Sequence, residues 1–290
     1  MLAAIQTALT EKRGLLIGRF GTIELETLLA GKQPTPELMA VLERNAGVFP
    51  SEPWSVQRWC EETRESIRDA DVLATGWYAP LKVEEKVLLK SWSWKGTQIA
   101  LRDLEPYYKK PEERWSRLLA GKRVAVVTSF TSSARKQVHK KNVWDSQESI
   151  WPSTTEWSWV QTGYAPCLAL GRAGWEGSPE SWSEAVESVV ESVIVSKAEV
   201  ALIGCGGLGM VIGAALKKAG VVCIVMGGAI QVFFGIKGER WATHEIIRNF
   251  WNDQWVWPSE DETPGGASEV EKSCYWRAGD LNLFNTYAKG

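Results

Sequence analysis

The chain has 290 residues, 44% of them hydrophobic, and a formal net charge of −2. That length supports one large or two small cores, and the near-neutral balance gives no reason to expect a nucleic-acid partner. Five scattered cysteines without a CxxC pair argue for free thiols rather than zinc, and no apolar run reaches the ~20 residues of a membrane helix, so the expectation is a cytoplasmic protein with no signal peptide and no transmembrane segment.

Leu2, Ile5 and Leu9 fall at helical spacing, and Gly14 stops that helix. Residues 15–20 are a short apolar strand, and Gly21-Thr22 makes a turn. Thr22 is placed to cap a helix over 23–30, which Gly31 ends. Glu24 then sits in the first helical turn, at the mouth where open α/β sheets bind ligands. A carboxylate there also complements the helix dipole, so a functional and a purely structural role stand level. Helices follow over 37–45 and 56–69, with Pro50 and Pro53 marking the loop between them. A strand at 72–76 leads to Trp77-Tyr78-Ala79-Pro80, and a helix over 83–91 to a short strand at 98–101. Residues 112–119 read as helical.

Residues 122–130 are a clear strand that delivers Ser129 to a helix start. Thr131-Ser132-Ser133 would cap the helix over 134–141. Residues 142–182 are rich in Trp, Ser, Gly and Pro with weak periodicity, as in a binding loop. An amphipathic helix at 183–196 feeds the most informative stretch, 200–241. There an apolar strand runs into Gly204-Cys205-Gly206-Gly207-Leu208-Gly209, a helix over 210–219, and a second strand closed by Gly227-Gly228. Strand, glycine turn, helix, strand is the unit of a parallel sheet, and such turns suit phosphate. A short helix ends at Gly235. Lys237 and Arg240 beyond it are either phosphate clamps or solvated surface. The expected fold is α/β: one Rossmann-like domain over 1–290, a mostly parallel sheet flanked by helices, with an irregular Trp-rich insertion around 142–182.

Gly204 to Gly209 matches GxGxxG, the turn of NAD(P)-dependent oxidoreductases. That fingerprint wants an acidic residue at the end of the next strand, where this chain has Met226-Gly227-Gly228. No GxSxG elbow or GxxxxGK[ST] loop occurs, and two histidines leave little room for histidine catalysis. A nucleotide-sugar glycosyltransferase fits better, since glycine turns with Arg or Lys stabilise a leaving diphosphate. Seventeen tryptophans supply sugar platforms, although most are expected in the core. They also raise a non-catalytic carbohydrate-binding module, which would have no need of phosphate cradles.

Residues 17–24, Ile-Gly-Arg-Phe-Gly-Thr-Ile-Glu, resemble the RFGDGE signature of glycosyltransferases with the GT-D fold. The block from Gly227-Gly228 through FGIKG to Arg240-Trp241, with Glu271 and Cys274-Tyr275-Trp276, is similar to a subgroup of such sequences. The resemblance implies a GT-D-type architecture and transfer of a sugar from a nucleoside-diphosphate donor, UDP-linked, to a glycan or glycoconjugate hydroxyl. It implies carboxylates beside the donor diphosphate and a Mn or Mg ion. Only the Glu carries over, as Glu24; Thr22 stands at the Asp position, which puts the metal in doubt. Glu24 would hold a metal, orient the donor sugar or act as base. Arg19, Gly21, Thr22 and Glu24 would form one wall, with Ser129 nearby. Gly206, Gly207 and Gly209 would form the other, closed over by Gly228, Gln231, Lys237 and Arg240.

Overall fold

The computed structural model describes residues 1–31, 33–144, 150–270 and 273–277; Glu271 lies outside them. Helix α1 (Leu2–Glu11) leads into β1 (Leu15–Arg19) and α2 (Thr22–Ala30). Then come α3 (Pro36–Ala46), α4 (Pro53–Arg68), β2 (Val72–Ala74), α5 (Lys82–Ser91) and β3 (Thr97–Ile99). Short 3-10 turns lead to β4 (Arg123–Thr128), α6 (Thr131–Val138), β5 (Glu156–Gln161), α7 (Pro166–Ala169) and α8 (Trp182–Val195). The chain continues through β6 (Val200–Gly204), α9 (Gly209–Lys218), β7 (Val222–Val225), α10 (Ala229–Phe233) and α11 (Ile247–Phe250).

The strands form one seven-stranded sheet in the order β3-β2-β1-β7-β6-β4-β5. Every pairing is parallel, with Ile17 opposite Val72 on one side and Ile224 on the other. This is the expected α/β class. Alternation along the strands divides the core. Leu15, Ile17, Val124, Val126, Leu202 and Ile224 pack on one face with α1, α6 and α10. Leu16, Ala125, Val127, Ile203 and Val225 pack on the other with α2, α4, α8 and α9. The chain leaves β4 for the outer strand β5 but leaves β6 in the opposite direction, for β7. Helices α6 and α9 therefore lie on opposite faces, and the loops after β4 and β6 part. That divergence is a switch point, where open α/β sheets bind ligands.

Three local expectations change. Residues 112–119 form two 3-10 turns, Pro111–Glu113 and Trp115–Leu119, rather than one α-helix. Tertiary contacts fix Trp115 there: its indole N–H donates to Leu104 O at 3.1 Å and its ring stacks on Phe233 at 6.0 Å. The Trp-rich segment contributes β5, an edge strand. Its pattern is weak because Trp157 and Trp159 are only half-buried, stacked on one another at 6.0 Å and packed on Phe234. The third change concerns caps. Gly21, not Thr22, is the N-cap of α2, and Thr131 to Ser133 lie inside the first turn of α6. Among the described residues, no helix is long and apolar enough to cross a membrane.

Candidate functional site

The segments at and beyond the C-terminal ends of all seven strands line one cavity of about 330 Å³. Small-molecule sites span roughly 300–1,000 Å³. Arg19 comes from β1, Trp77 follows β2, Glu105 follows β3, Ser129 follows β4 and Thr162 follows β5. Gly204 ends β6 with Cys205 and Gly206 just beyond it, and Gly227-Gly228 follow β7. The charged lining is Arg19, Arg44 and Arg240 against Glu24 and Glu105. Gly228 and Ala229 start α10 and also face the cavity. Ile230 N and Gln231 N already donate to Gly227 O at 3.2 Å and Gly228 O at 3.1 Å, so the Gly228 and Ala229 N–H groups are the ones placed to meet an anion.

Arg19 is the centre of one wall. Its guanidinium lies 5.1 Å from the Trp77 ring centroid, and Nη1 donates to Phe20 O at 3.1 Å. Its tip also fills the space above Gly227, where a Cβ would come within 2.6 Å of Nη2. Gly227 has φ +58°, a backbone conformation that favours glycine, and the arginine tip occupies the space a Cβ would take. Gly206 is similar, with φ +48° and Ala46 O at 2.6 Å from any Cβ. The Glu24 carboxylate folds back over Gly21 at the start of α2, so that a Cβ at Gly21 would collide with it.

Arg240 is exposed, and its Nη1 donates to the Tyr275 hydroxyl at 2.9 Å. The Tyr275 ring rests on Gly228, so the two late segments meet at the cavity rim. Behind them Tyr164 donates to Ser129 Oγ at 2.8 Å. Cys205 also faces the cavity, but burial pushes its thiol up to about 12, which removes it as a nucleophile near neutrality.

Arg19, Gly21, Thr22, Glu24, Ser129, Gly206, Gly228 and Arg240 thus come together from distant parts of the sequence. Gly207, Gly209, Gln231 and Lys237 are not in the lining. Gly207 packs against Val48 and Ala46, and its carbonyl accepts from the Trp59 indole at 2.9 Å. Gly209 packs on Val225. Gln231 is fully buried and donates to Lys237 O at 2.7 Å and Tyr275 O at 2.8 Å, which ties the rim together from behind. Lys237 turns away toward Trp251, with Nζ 5.6 Å from that ring. Burial and the neighbouring Arg248 and Arg277 lower its pKa against the pull of Asp253.

Sequence reasoning missed Glu105, Arg44, Trp77 and Tyr164. Glu105 is half-buried in the cavity. Burial pushes it up to about 7, against the lowering influence of Arg19, Tyr107 and Arg102. Its position just beyond a short strand was the available signal, because strand ends in open α/β sheets face the ligand. Among the described residues, no three His, Cys, Asp or Glu side chains gather as a metal set. The carboxylates facing the cavity are Glu24 and Glu105, from different elements. Two carboxylates are fewer than the three or four protein ligands of a closed metal site.

No protein-family model matches the chain, and the comparison with curated proteins finds no match. Two solved structures align with it. One is a selenomethionine-substituted structure of domain of unknown function 1792, 11% identical over 79% of this chain and 77% of that one, with a TM-score of 0.44. The other is a structure of the same domain, described as having a distinct glycosyltransferase fold. It is 12% identical over 78% of this chain and 76% of that one, with a TM-score of 0.44. These are likenesses of fold alone.

Proposed function

We propose that the protein is a glycosyltransferase that takes a nucleoside-diphosphate sugar, with UDP as the carrier to test first, and passes the sugar to a hydroxyl of a glycan or glycoconjugate. One observation carries this: Arg19, Arg44 and Arg240 converge on a cavity walled by Trp77, Trp175, Trp241 and Tyr275, with the Gly228-Ala229 backbone at its edge. Arginine forks and free N–H groups suit a diphosphate, and aromatic faces suit a base or a sugar ring.

In the reaction the acceptor oxygen bonds to the anomeric carbon. The bond from that carbon to the diphosphate oxygen breaks, and its electron pair leaves with the nucleoside diphosphate. Arg19 and Arg240, with the N–H groups of Gly228 and Ala229, stabilise the charge that develops there. Glu24 accepts hydrogen bonds from hydroxyls of the donor sugar.

Thermal-shift titration is the direct test. Saturating UDP or GDP should raise the melting temperature, with NAD and NADP leaving it unchanged. A ligand at a hundred times its Kd stabilises by about 2.7 kcal/mol, an effect of several degrees. Stabilisation by NAD or NADP alone would overturn the proposal.

A further inference from the structure

We propose that Glu105, not Glu24, takes the acceptor's proton during transfer. This rests on the glycosyl-transfer reading of the cavity and deepens it. The cavity holds these two carboxylates in contrasting environments. Glu24 lies in the first turn of α2, folded over Gly21, where the positive end of a helix attracts an acidic side chain. Such a group suits the donor sugar's hydroxyls. Glu105 instead follows buried Leu104 and precedes buried Pro106 and Tyr107. The titratable and charged groups facing it are Arg19 from β1, and Arg102, Tyr107 and Tyr108 from its own segment.

Burial raises Glu105 to about 7, so a small change of pH or of neighbours moves its proton. A base of that strength is matched to work near neutrality. The two carboxyls share one cavity but sit in different surroundings, one at a helix start and one between buried neighbours, and that difference assigns the roles. Arg19 links this base to the leaving group, since the same guanidinium influences Glu105 and packs against Gly227. As the acceptor oxygen bonds to the anomeric carbon, its proton passes to a Glu105 carboxylate oxygen. The carbon–diphosphate electron pair leaves with the nucleotide, so charge and protons balance. Above neutrality Glu105 is ionised and ready; below, it is protonated and transfer slows.

The test uses the full chain with UDP- and GDP-linked sugars, following release of nucleoside diphosphate across pH. Wild-type kcat/KM should show an acid limb with a midpoint near 7. Glu105→Gln should lower kcat about 100-fold or more and lose that limb, while the Kd for UDP stays within about twofold. Retention of wild-type turnover or of the limb in Glu105→Gln overturns the proposal. Carboxyl infrared titration of wild type against Glu105→Gln reads the same group without any substrate. The difference should be one carboxyl titrating near neutrality, and its absence also overturns the proposal. Wild type that neither binds nor turns over any of these nucleotides sinks the glycosyl-transfer reading itself, and the infrared result still stands apart from that failure.

Discussion

Arg19 leaves the end of β1 with its guanidinium over Trp77 and its tip against Gly227. Three separate segments therefore meet on one side chain. Glu24 stands beside it, in the same RFGTIE stretch that drew attention in the sequence. Glu24→Gln keeps the size of the side chain and removes its charge. Transfer should fall by about 100-fold or more, with the circular dichroism spectrum unchanged. Full activity in that variant would remove Glu24 from the site. This pair was legible because strand, turn and helix start lie within eight residues, 17–24. Lys237 was not. It lies three residues from Arg240, yet Lys237 reaches Trp251 while Arg240 reaches Tyr275. Spacing alone does not fix direction in an irregular segment, and here the buried Gln231 amide sets the path of the chain.

The strand–turn–helix units were legible at the level of elements, because apolar runs and glycine turns are local signals. Contacts between distant segments were not. Glu105 is placed by β3 joining β2, which in turn joins β1, a pairing order that no local pattern states. The start of α6 makes the same point. Its own hydroxyls were expected to cap it, but Phe130 holds the N-cap position and the Ser133 N–H is taken by Glu262, 129 residues away. Glu262 is 1% exposed and accepts from Ser133 N at 2.8 Å, Ser259 N at 2.9 Å and Ser259 Oγ at 2.8 Å, with Ser133 Oγ as a further partner. One carboxylate thus fastens the late loop to a helix that begins beside the cavity. Removing it as Glu262→Ala leaves buried donors unsatisfied, and should cost about 2–4 kcal/mol in urea unfolding. A loss below about 0.5 kcal/mol would show that the late loop and α6 are not coupled through this group.

At the scale of the whole molecule, the cavity's electrostatics should be visible in stability against pH. Glu85 is 2% exposed and accepts Gly76 N at 2.7 Å; burial raises its pKa. Glu105 is raised to about 7 by the same cause. For such groups the folded state holds the proton more tightly than the unfolded chain. Their contribution is fully present below the ordinary carboxylate value of 4.5 and is lost as pH rises through the raised values, about 7 for Glu105. Asp103 and Glu199 work the other way. Burial opposes ionisation in both, but the Lys109 hydrogen bond lowers Asp103, and the Arg123 N–H with Lys122 lowers Glu199. Their contribution is present above their ordinary values and lost as pH falls through the lowered ones. The two sets together place the stability maximum on the acid side of neutrality. Melting temperature should therefore decline by a few degrees between about pH 5 and 8. Glu105→Gln removes one of the two groups behind that decline, so it should melt higher than wild type at pH 8 and match it more closely at pH 5. A carboxyl that weakens the fold at working pH while facing a cavity is the trade expected of a functional group. Scanning calorimetry of both proteins across this range decides the matter: parallel curves would mean that Glu105 titrates alike in the folded and unfolded chain.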